Sequence, residues 1–277
     1  MKLARFDHAG REAQGIVIGE RVHVLEMGDA GCGFDLPGRA IAELDTLLAR
    51  SPRSLLLREV MLLPPMAPYS QLICVGVNYA DHAAETGHSP QRVPAVFLRH
   101  LRGVVGHGQP LCAPRGSPQY DYEGELALVI GRGGRHIAPA DAMQHVAGYC
   151  CFMDGSVRDF QRESVAAGKN FPRSAALGPW IVTSDEVPDA GALQLQTRVN
   201  GRTVQSAPTS TMLHSLAQLV AYCSTWTELR AGDVIATGTP AGVGARHTPP
   251  TWLRPGDTIE VSVEGVGVLA NPVEAER

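Results

Sequence analysis

The sequence predicts an α+β, mainly β fold: a strand-rich roll or barrel with a few flanking helices, preceded by a small α+β unit. Three observations predict it. Short apolar segments bounded by turn residues recur from residue 71 to the end, stretches with helical spacing are few, and a proline-rich segment, LPPMAP at 63–68, interrupts the chain early. The strict strand–helix alternation of a doubly wound parallel sheet is missing.

Taken in order, GIVIG and RVHVLE are alternating apolar segments on either side of Gly19 and Glu20, the pattern of a hairpin. Ile41, Leu44, Leu47 and Leu48 then recur at helical spacing. Proline fixes φ and removes backbone donors, so 63–68 continues neither helix nor sheet and marks a boundary between a small domain, 1–66, and a large one, 67–277. In the large domain the expected strands are QLICVGV, AVFL, ELALVIG, VAGYCCFM, WIVT, LQTRVNGRTV, DVIATG and TIEVSVEGVGVL, with Asn200 and Gly201 at a hairpin turn. Helices are expected at 156–167 and 211–225, and a short one at 78–88.

With 277 residues, 44% of them hydrophobic and 19% charged, the chain can bury a sizeable core. A formal net charge of -4 argues against a nucleic-acid partner, which would call for a basic stripe, and favours a small molecule. The six cysteines, Cys32, Cys74, Cys112, Cys150, Cys151 and Cys223, form no CxxC pair and sit mostly in apolar runs, as reduced buried thiols do. The first residues lack the apolar core of a signal peptide and no apolar run is long enough to span a bilayer, so the expected location is the cytoplasm, away from membranes.

Chemistry concentrates in DYEGELALVIG. In an extended strand Asp121, Glu123 and Glu125 share one face, and like charges so close call for a cation. Oxygen-only ligands suit a hard ion such as magnesium, manganese or calcium; solvated acids blunting a strand edge are the plainer alternative. Asp154 ends the apolar run AGYCCFM and either joins these acids or caps the helix that follows. His82 and Glu85, three apart, share a helical face as a base and its orienting carboxylate would, or decorate a surface helix capped by Asn78. Arg158 and Gln161 could fork around a substrate carboxylate, and Lys169, after Gly168, could bind an oxyanion; a solvated polar face is the alternative for each. TGTPAGVG, 237–244, offers backbone amides but matches no nucleotide-binding pattern, and GRGGR, 131–135, is a turn.

Taken together and in order, ICVGVNYADHAAE, DYEGELALVIG, VAGYCCFMDGSVRDFQ, GKNF, LGPWIVT, VNG with VQ, GDVIATGTPAGVG and a later GD closely resemble the fumarylacetoacetate hydrolase family over roughly residues 70–272. The resemblance implies a mixed β-sandwich roll, usually homodimeric, behind a small variable N-terminal domain. It implies that Glu123, Glu125 and Asp154 hold Mg2+ or Mn2+, with Asp121 outside the usual ligand set. It places His82 and Glu85 on a catalytic pair in a lid that orders with substrate, Lys169 on an active-site lysine, Arg158 and Gln161 on substrate contacts, and Thr239 beside the bound substrate. The chain departs from the pattern at KNFPRSAALGPW, which puts Pro172, Arg173 and Ala176 near the pocket, and at Met153, often Asn in the family; Arg173 is a candidate for a second carboxylate contact.

The implied chemistry is hydrolysis of a carbon–carbon bond in a 2,4-diketo acid of acylpyruvate or fumarylpyruvate type. Decarboxylation of a 2-oxo acid and isomerisation of a 2-hydroxydienoate use the same site and remain alternatives, as does a non-catalytic metal-binding protein. The presence of both His82 and Glu85 favours the hydrolase.

Overall fold

The computed structural model describes residues 1–25, 36–87, 89 and 91–277; Cys32 and Glu26 lie outside the described residues. Strands β1 (Lys2–His8), β2 (Arg11–Ile18) and β3 (Arg21–Val24) form an antiparallel meander. The β2–β3 connection is the expected tight turn, with Gly19 at a φ of 57°, where the lack of a Cβ removes the steric penalty. Helix α1 (Ile41–Ala49) turns the buried Leu44 inward, with Leu47 and Leu48 packed beside it. Strand β4 (Arg53–Leu56) pairs with β3, and β5 (Met61–Leu63) with β1.

The chain continues through β6 (Leu72–Gly76), α2 (Ala80–Thr86), β7 (Ala95–Arg99), β8 (Val104–Val105), β9 (Leu111–Ala113), β10 (Tyr120–Asp121), β11 (Gly124–Ile130), β12 (Val146–Met153) and β13 (Ser156–Val157). Then follow α3 (Arg158–Glu163), α4 (Val165–Lys169), β14 (Ala175–Thr183), β15 (Gln194–Val199), β16 (Arg202–Pro208), α5 (Leu216–Trp226), β17 (Val234–Ala236), β18 (Thr258–Val263) and β19 (Gly267–Ala275). The β15–β16 hairpin turns on Asn200 and Gly201, both at positive φ (51° and 77°), the backbone a two-residue turn of this twist requires.

Two sheets carry the fold. The larger, of twelve strands, runs β4-β3-β2-β1-β14-β12-β11-β17-β6-β7, with β5 paired to β1 and β8 to β14 off this path; the smaller runs β16-β15-β18-β19-β9. Residues 1–66 thus share the large sheet with the rest of the chain, through Lys2 opposite Val182 and Leu3 opposite Ile181. Alternation along β11 shows why its sequence is a continuous apolar run. Leu126, Leu128 and Ile130 pack with Leu195, Ile259, Val261 and Leu269 of the smaller sheet, whereas Ala127 and Val129 pack on the other face with Leu36, Leu44 and Met66. A strand covered on both faces has no polar side to show.

Two helix expectations change. The stretch 156–167 is not one helix: it begins as β13 and breaks at Ser164, whose extended backbone (φ −156°) ends α3 and whose Oγ caps α4 by accepting from Ala167 N. The stretch 211–225 starts as a single 3-10 turn, and α5 begins only at Leu216, where Ser215 and Gln218 form a reciprocal capping box. No helix among the described residues is long and apolar enough to cross a membrane.

At Gly124 the two sheets approach closely: a Cβ there would run into the side chain of Thr197 on β15. Gly124→Ala is therefore expected to destabilise the fold by about 1–3 kcal/mol, as overpacking of a filled core does, measured by chemical denaturation.

Candidate active site

The register of two strands builds the site. Gly124 pairs with Met153, so the residue before β11, Glu123, meets the residue after β12, Asp154, whose N–H donates to the Glu123 carbonyl at 2.8 Å. The carboxylates of Glu123, Glu125 and Asp154 are all buried, with potential ligand oxygens within 4.8 Å of one another. Asp121 stands apart: β10 and β11 are separate strands, and Tyr122 and Glu123 between them break the single strand that the alternation suggested. Instead its Oδ1 accepts from Gly244 N (2.8 Å), and its Oδ2 from Arg158 Nε (2.8 Å) and Ala245 N (3.0 Å).

Buried carboxylates need countercharge. Lys169, almost fully buried, places Nζ 2.6 Å from both Glu123 Oε2 and Asp154 Oδ2. Gly168 makes this possible, because a side chain there would collide with the backbone of Gln161 where α4 crosses α3. Arg99, at the end of β7, bonds Asp154 Oδ1, the Gly155 carbonyl (2.9 Å) and Ser174 Oγ (2.8 Å). Burial by itself would raise the Glu123 carboxyl, but the charges of Lys169 and Arg158 overcome it and hold it at about 2. Glu125 shows the opposite balance. Burial and the neighbouring charges of Asp154 and Glu123 push it well above the usual carboxylate range, and the Lys169 charge and the Gly238 N–H, 2.8 Å from Oε2, are too small a counterweight. The cluster is short of positive charge beside Glu125, and an oxygen-only donor set in that position fits a hard divalent cation.

His82 and Glu85 meet as the helical spacing implies. His82 Nδ1 lies 3.0 Å from Glu85 Oε2, while Glu85 Oε1 accepts from Gly242 N at 2.9 Å. A carboxylate acceptor assigns the proton to Nδ1 and leaves Nε2 free to accept one. Asn78 does not cap this helix. Its amide donates to the Thr237 carbonyl (2.8 Å) and accepts from His214 N (2.8 Å), tying the base of α2 to the loop after β17. Val77, just before it, holds a φ of 53°, an uncommon conformation for a β-branched residue.

Arg158 and Gln161 touch each other, Nη1 to Oε1 at 2.9 Å, so they form one unit rather than two independent arms. Arg158 Nη2 is 2.7 Å from Glu123 Oε1 but off the hydrogen-bond direction, and it is buried with no acceptor aligned to it. Thr239 Oγ1 donates to the Gly124 carbonyl (3.0 Å) and accepts from Gln205 Nε2 (2.8 Å). Gln205 Oε1 in turn accepts from Gly124 N (2.9 Å), so this buried glutamine stitches the TGTP turn to the start of β11.

A cavity of about 860 Å³ joins these groups, lined among others by His82, Glu123, Arg158, Gln161, Lys169 and Thr239. Two sequence alternatives fall away: Asp154 caps no helix, its carboxylate being held by Arg99 and Lys169, and Arg173 turns from the cavity to donate to the Pro110 carbonyl (2.8 Å). Ala176 and Met153 pair with each other in the sheet and are buried in the core. The sequence does not single out Arg99, and it marks Gln205 only as part of the VQ motif, without a role. The signal for each is faint: a charge closing the apolar run AVFL, and a polar residue at an inward position of a hairpin strand.

A family model for the C-terminal region of fumarylacetoacetate hydrolase matches residues 71–274. Among curated proteins, the human mitochondrial oxaloacetate tautomerase is 38% identical over 90% of this chain and 78% of its own length. Among solved structures, a fumarylacetoacetate hydrolase from Exiguobacterium antarcticum is 38% identical with a TM-score of 0.87, and both chains are fully covered. A maleylpyruvate hydrolase from Sphingobium sp. SYK-6, in complex with manganese(II) and pyruvate, is 28% identical with a TM-score of 0.83, again over the whole of both chains.

Calorimetric titration with Mn2+ is expected to show binding to the wild type and none to Glu125→Gln. Arg99→Met should weaken binding about 10–100-fold by releasing Asp154; unchanged affinity in that variant would separate Arg99 from the metal site. Asp121→Asn should keep metal affinity within about threefold, because Asp121 binds Arg158 and the 244–245 amides and not the cluster.

Proposed function

The chain belongs to the fumarylacetoacetate hydrolase family and is an enzyme of that family, and from this premise we propose that it is a divalent-metal-dependent hydrolase cleaving a carbon–carbon bond in a 2,4-diketo acid. Glu123, Glu125 and Asp154 would hold Mg2+ or Mn2+, which when bound supplies Lewis-acid polarisation and a template for the 2-oxo acid end of the substrate. The manganese and pyruvate bound by the Sphingobium maleylpyruvate hydrolase support both parts of this reading. A cytoplasmic homodimer belongs to the same proposal.

The observation that carries the hydrolytic step is the His82–Glu85 pair at the cavity wall. In this reading Nε2 of His82 takes a proton from water as the water oxygen attacks the carbonyl distal to the carboxylate. Glu85, fixed by Gly242 N–H, stabilises the imidazolium. The carbon–carbon bond then breaks, its electron pair leaving with the carbon that becomes the methyl group of pyruvate. That carbon receives the proton His82 took, so water and an acylpyruvate give pyruvate and a carboxylic acid. In this reading Arg158 binds the substrate carboxylate, and Lys169, held beside the carboxylate cluster, stabilises the oxygen on which negative charge accumulates.

A second reading is favoured by the similarity to an oxaloacetate tautomerase: the same His82 would move a proton between carbon and oxygen of a 2-oxo acid without attack by water. The two are separated by their products. Incubation with acylpyruvates and Mg2+ or Mn2+ should release stoichiometric pyruvate, and His82→Ala should lower kcat by about 10²–10⁴-fold, the range for loss of a general base. Loss of the oxaloacetate enol absorbance with no fragment from any diketo acid would replace the hydrolase with the tautomerase. Decarboxylation of oxaloacetate at full rate in His82→Ala would exclude both.

A further inference from the structure

We propose that Thr239 Oγ1, together with His82, holds the hydrolytic water as a hydrogen-bond acceptor, and that the buried Gln205 is the positioning residue that fixes Thr239 in that role. The inference rests on the proposed hydrolase reading and adds to it a second residue for the water.

Three bonds close a ring on Gly124, the residue between Glu123 and Glu125. Gly124 N donates to Gln205 Oε1 (2.9 Å), Gln205 Nε2 donates to Thr239 Oγ1 (2.8 Å), and Thr239 Oγ1 donates to the Gly124 carbonyl (3.0 Å). The backbone members set the direction of this ring. An N–H can only donate and a carbonyl can only accept, and Gln205 Nε2 also meets the Pro240 carbonyl at 2.9 Å, so the Gln205 amide stands in one orientation. A flipped amide would set Nε2 against the Gly124 N–H and Oε1 against the Pro240 carbonyl, and at a buried position the lost bonds would go unreplaced.

A threonine hydroxyl has one proton and two lone pairs. In Thr239 the proton goes to the Gly124 carbonyl and one lone pair to Gln205, which leaves one lone pair and no proton. Toward the cavity that Thr239 lines, its hydroxyl is therefore an acceptor, unable to donate to an oxyanion or a carboxylate. His82, on the same cavity, is an acceptor for a similar reason: Glu85 takes the Nδ1 proton and leaves Nε2 with a lone pair. The cations Arg158 and Lys169 suit an anionic substrate, whereas two neutral acceptors suit water. A water that donates one hydrogen to His82 Nε2 and the other to Thr239 Oγ1 turns an oxygen lone pair away from both, toward the carbonyl it attacks. His82 takes the first hydrogen as the carbon–oxygen bond forms. The second stays on the attacking oxygen, still bonded to Thr239, and becomes the hydroxyl proton of the carboxylic acid product. Proton transfer between carbon and oxygen, as in the tautomerase reading, involves no such water.

The test is steady-state cleavage of acetylpyruvate with Mg2+ by Thr239→Val and Thr239→Ser, of which only the second keeps the acceptor, each checked by a thermal melt and by Mn2+ calorimetry. Thr239→Val is expected to lower kcat about 10–100-fold, the value of one transition-state hydrogen bond, with KM changed by less than about threefold. Thr239→Ser should keep kcat within about threefold of the wild type. Enolisation of pyruvate, read as exchange of its methyl protons in D2O, needs no attacking water and should survive in Thr239→Val. Gln205→Met should lower kcat in the same way, and adding it to Thr239→Val should cost nothing further, because it acts through the same hydroxyl. Wild-type kcat in Thr239→Val, a change carried by KM, or loss of exchange in step with cleavage would overturn the assignment and keep the hydrolase reading. A wild type that cleaves no diketo acid would remove both.

Discussion

Burying several carboxylates at the end of one sheet is the constraint on which the rest of this structure depends. Charges removed from water must be paired or neutralised, and a cluster of them raises the cost for each member. The chain meets this with three cations from three separate elements: Arg99 from β7, Arg158 from α3 and Lys169 from α4. Their attraction is unevenly shared. Glu123 and Asp154 each touch Lys169, while the Glu125 carboxylate accepts from the Gly238 amide and is left with its carboxyl pushed upward. The imbalance suits the cluster to further positive charge, as a divalent cation would supply.

The surrounding scaffold follows from holding that cluster still. Gly124 lets β15 approach closely enough for Gln205 to bridge the start of β11 and the TGTP turn, and Gly168 lets α4 lie on α3 so that Lys169 reaches inward. Asp121 organises the next layer out, fixing both Arg158 and the 244–245 turn. Replacing flexible surface groups with buried, mutually bonded ones gives a site whose dipoles are set before substrate arrives, the condition under which electrostatic stabilisation is effective. The base pair of α2 is held more lightly, through Asn78 at one end and the Glu85–Gly242 contact at the other.

Much of this was legible in the chain. Strands with long apolar runs, the Asn200–Gly201 turn and the α1 periodicity each reflect a local rule, and local rules survive into the fold. The three carboxylates that converge were identifiable because acids at the ends of buried strands are costly and so conspicuous. Helix limits were less legible. The break at Ser164 and the late start of α5 depend on capping bonds that compete with the helical spacing, and spacing alone does not weigh them. Asn78 and Asp154 each had a plausible capping role that a partner distant in sequence replaced.

The sequence by itself determined the fold class, the order of strands along the chain and the residue types able to bind a hard cation, because these follow from periodicity, turn chemistry and charge carried within a few residues. Only the tertiary structure decided how Glu123, Glu125 and Asp154 come within 4.8 Å of one another and that Arg99 and Gln205 support them. Those outcomes rest on the Gly124–Met153 register and on contacts such as Arg99 to Asp154 and Gln205 to Thr239. Their partners lie tens of residues apart, and no local pattern encodes a pairing that forms only when the sheets close.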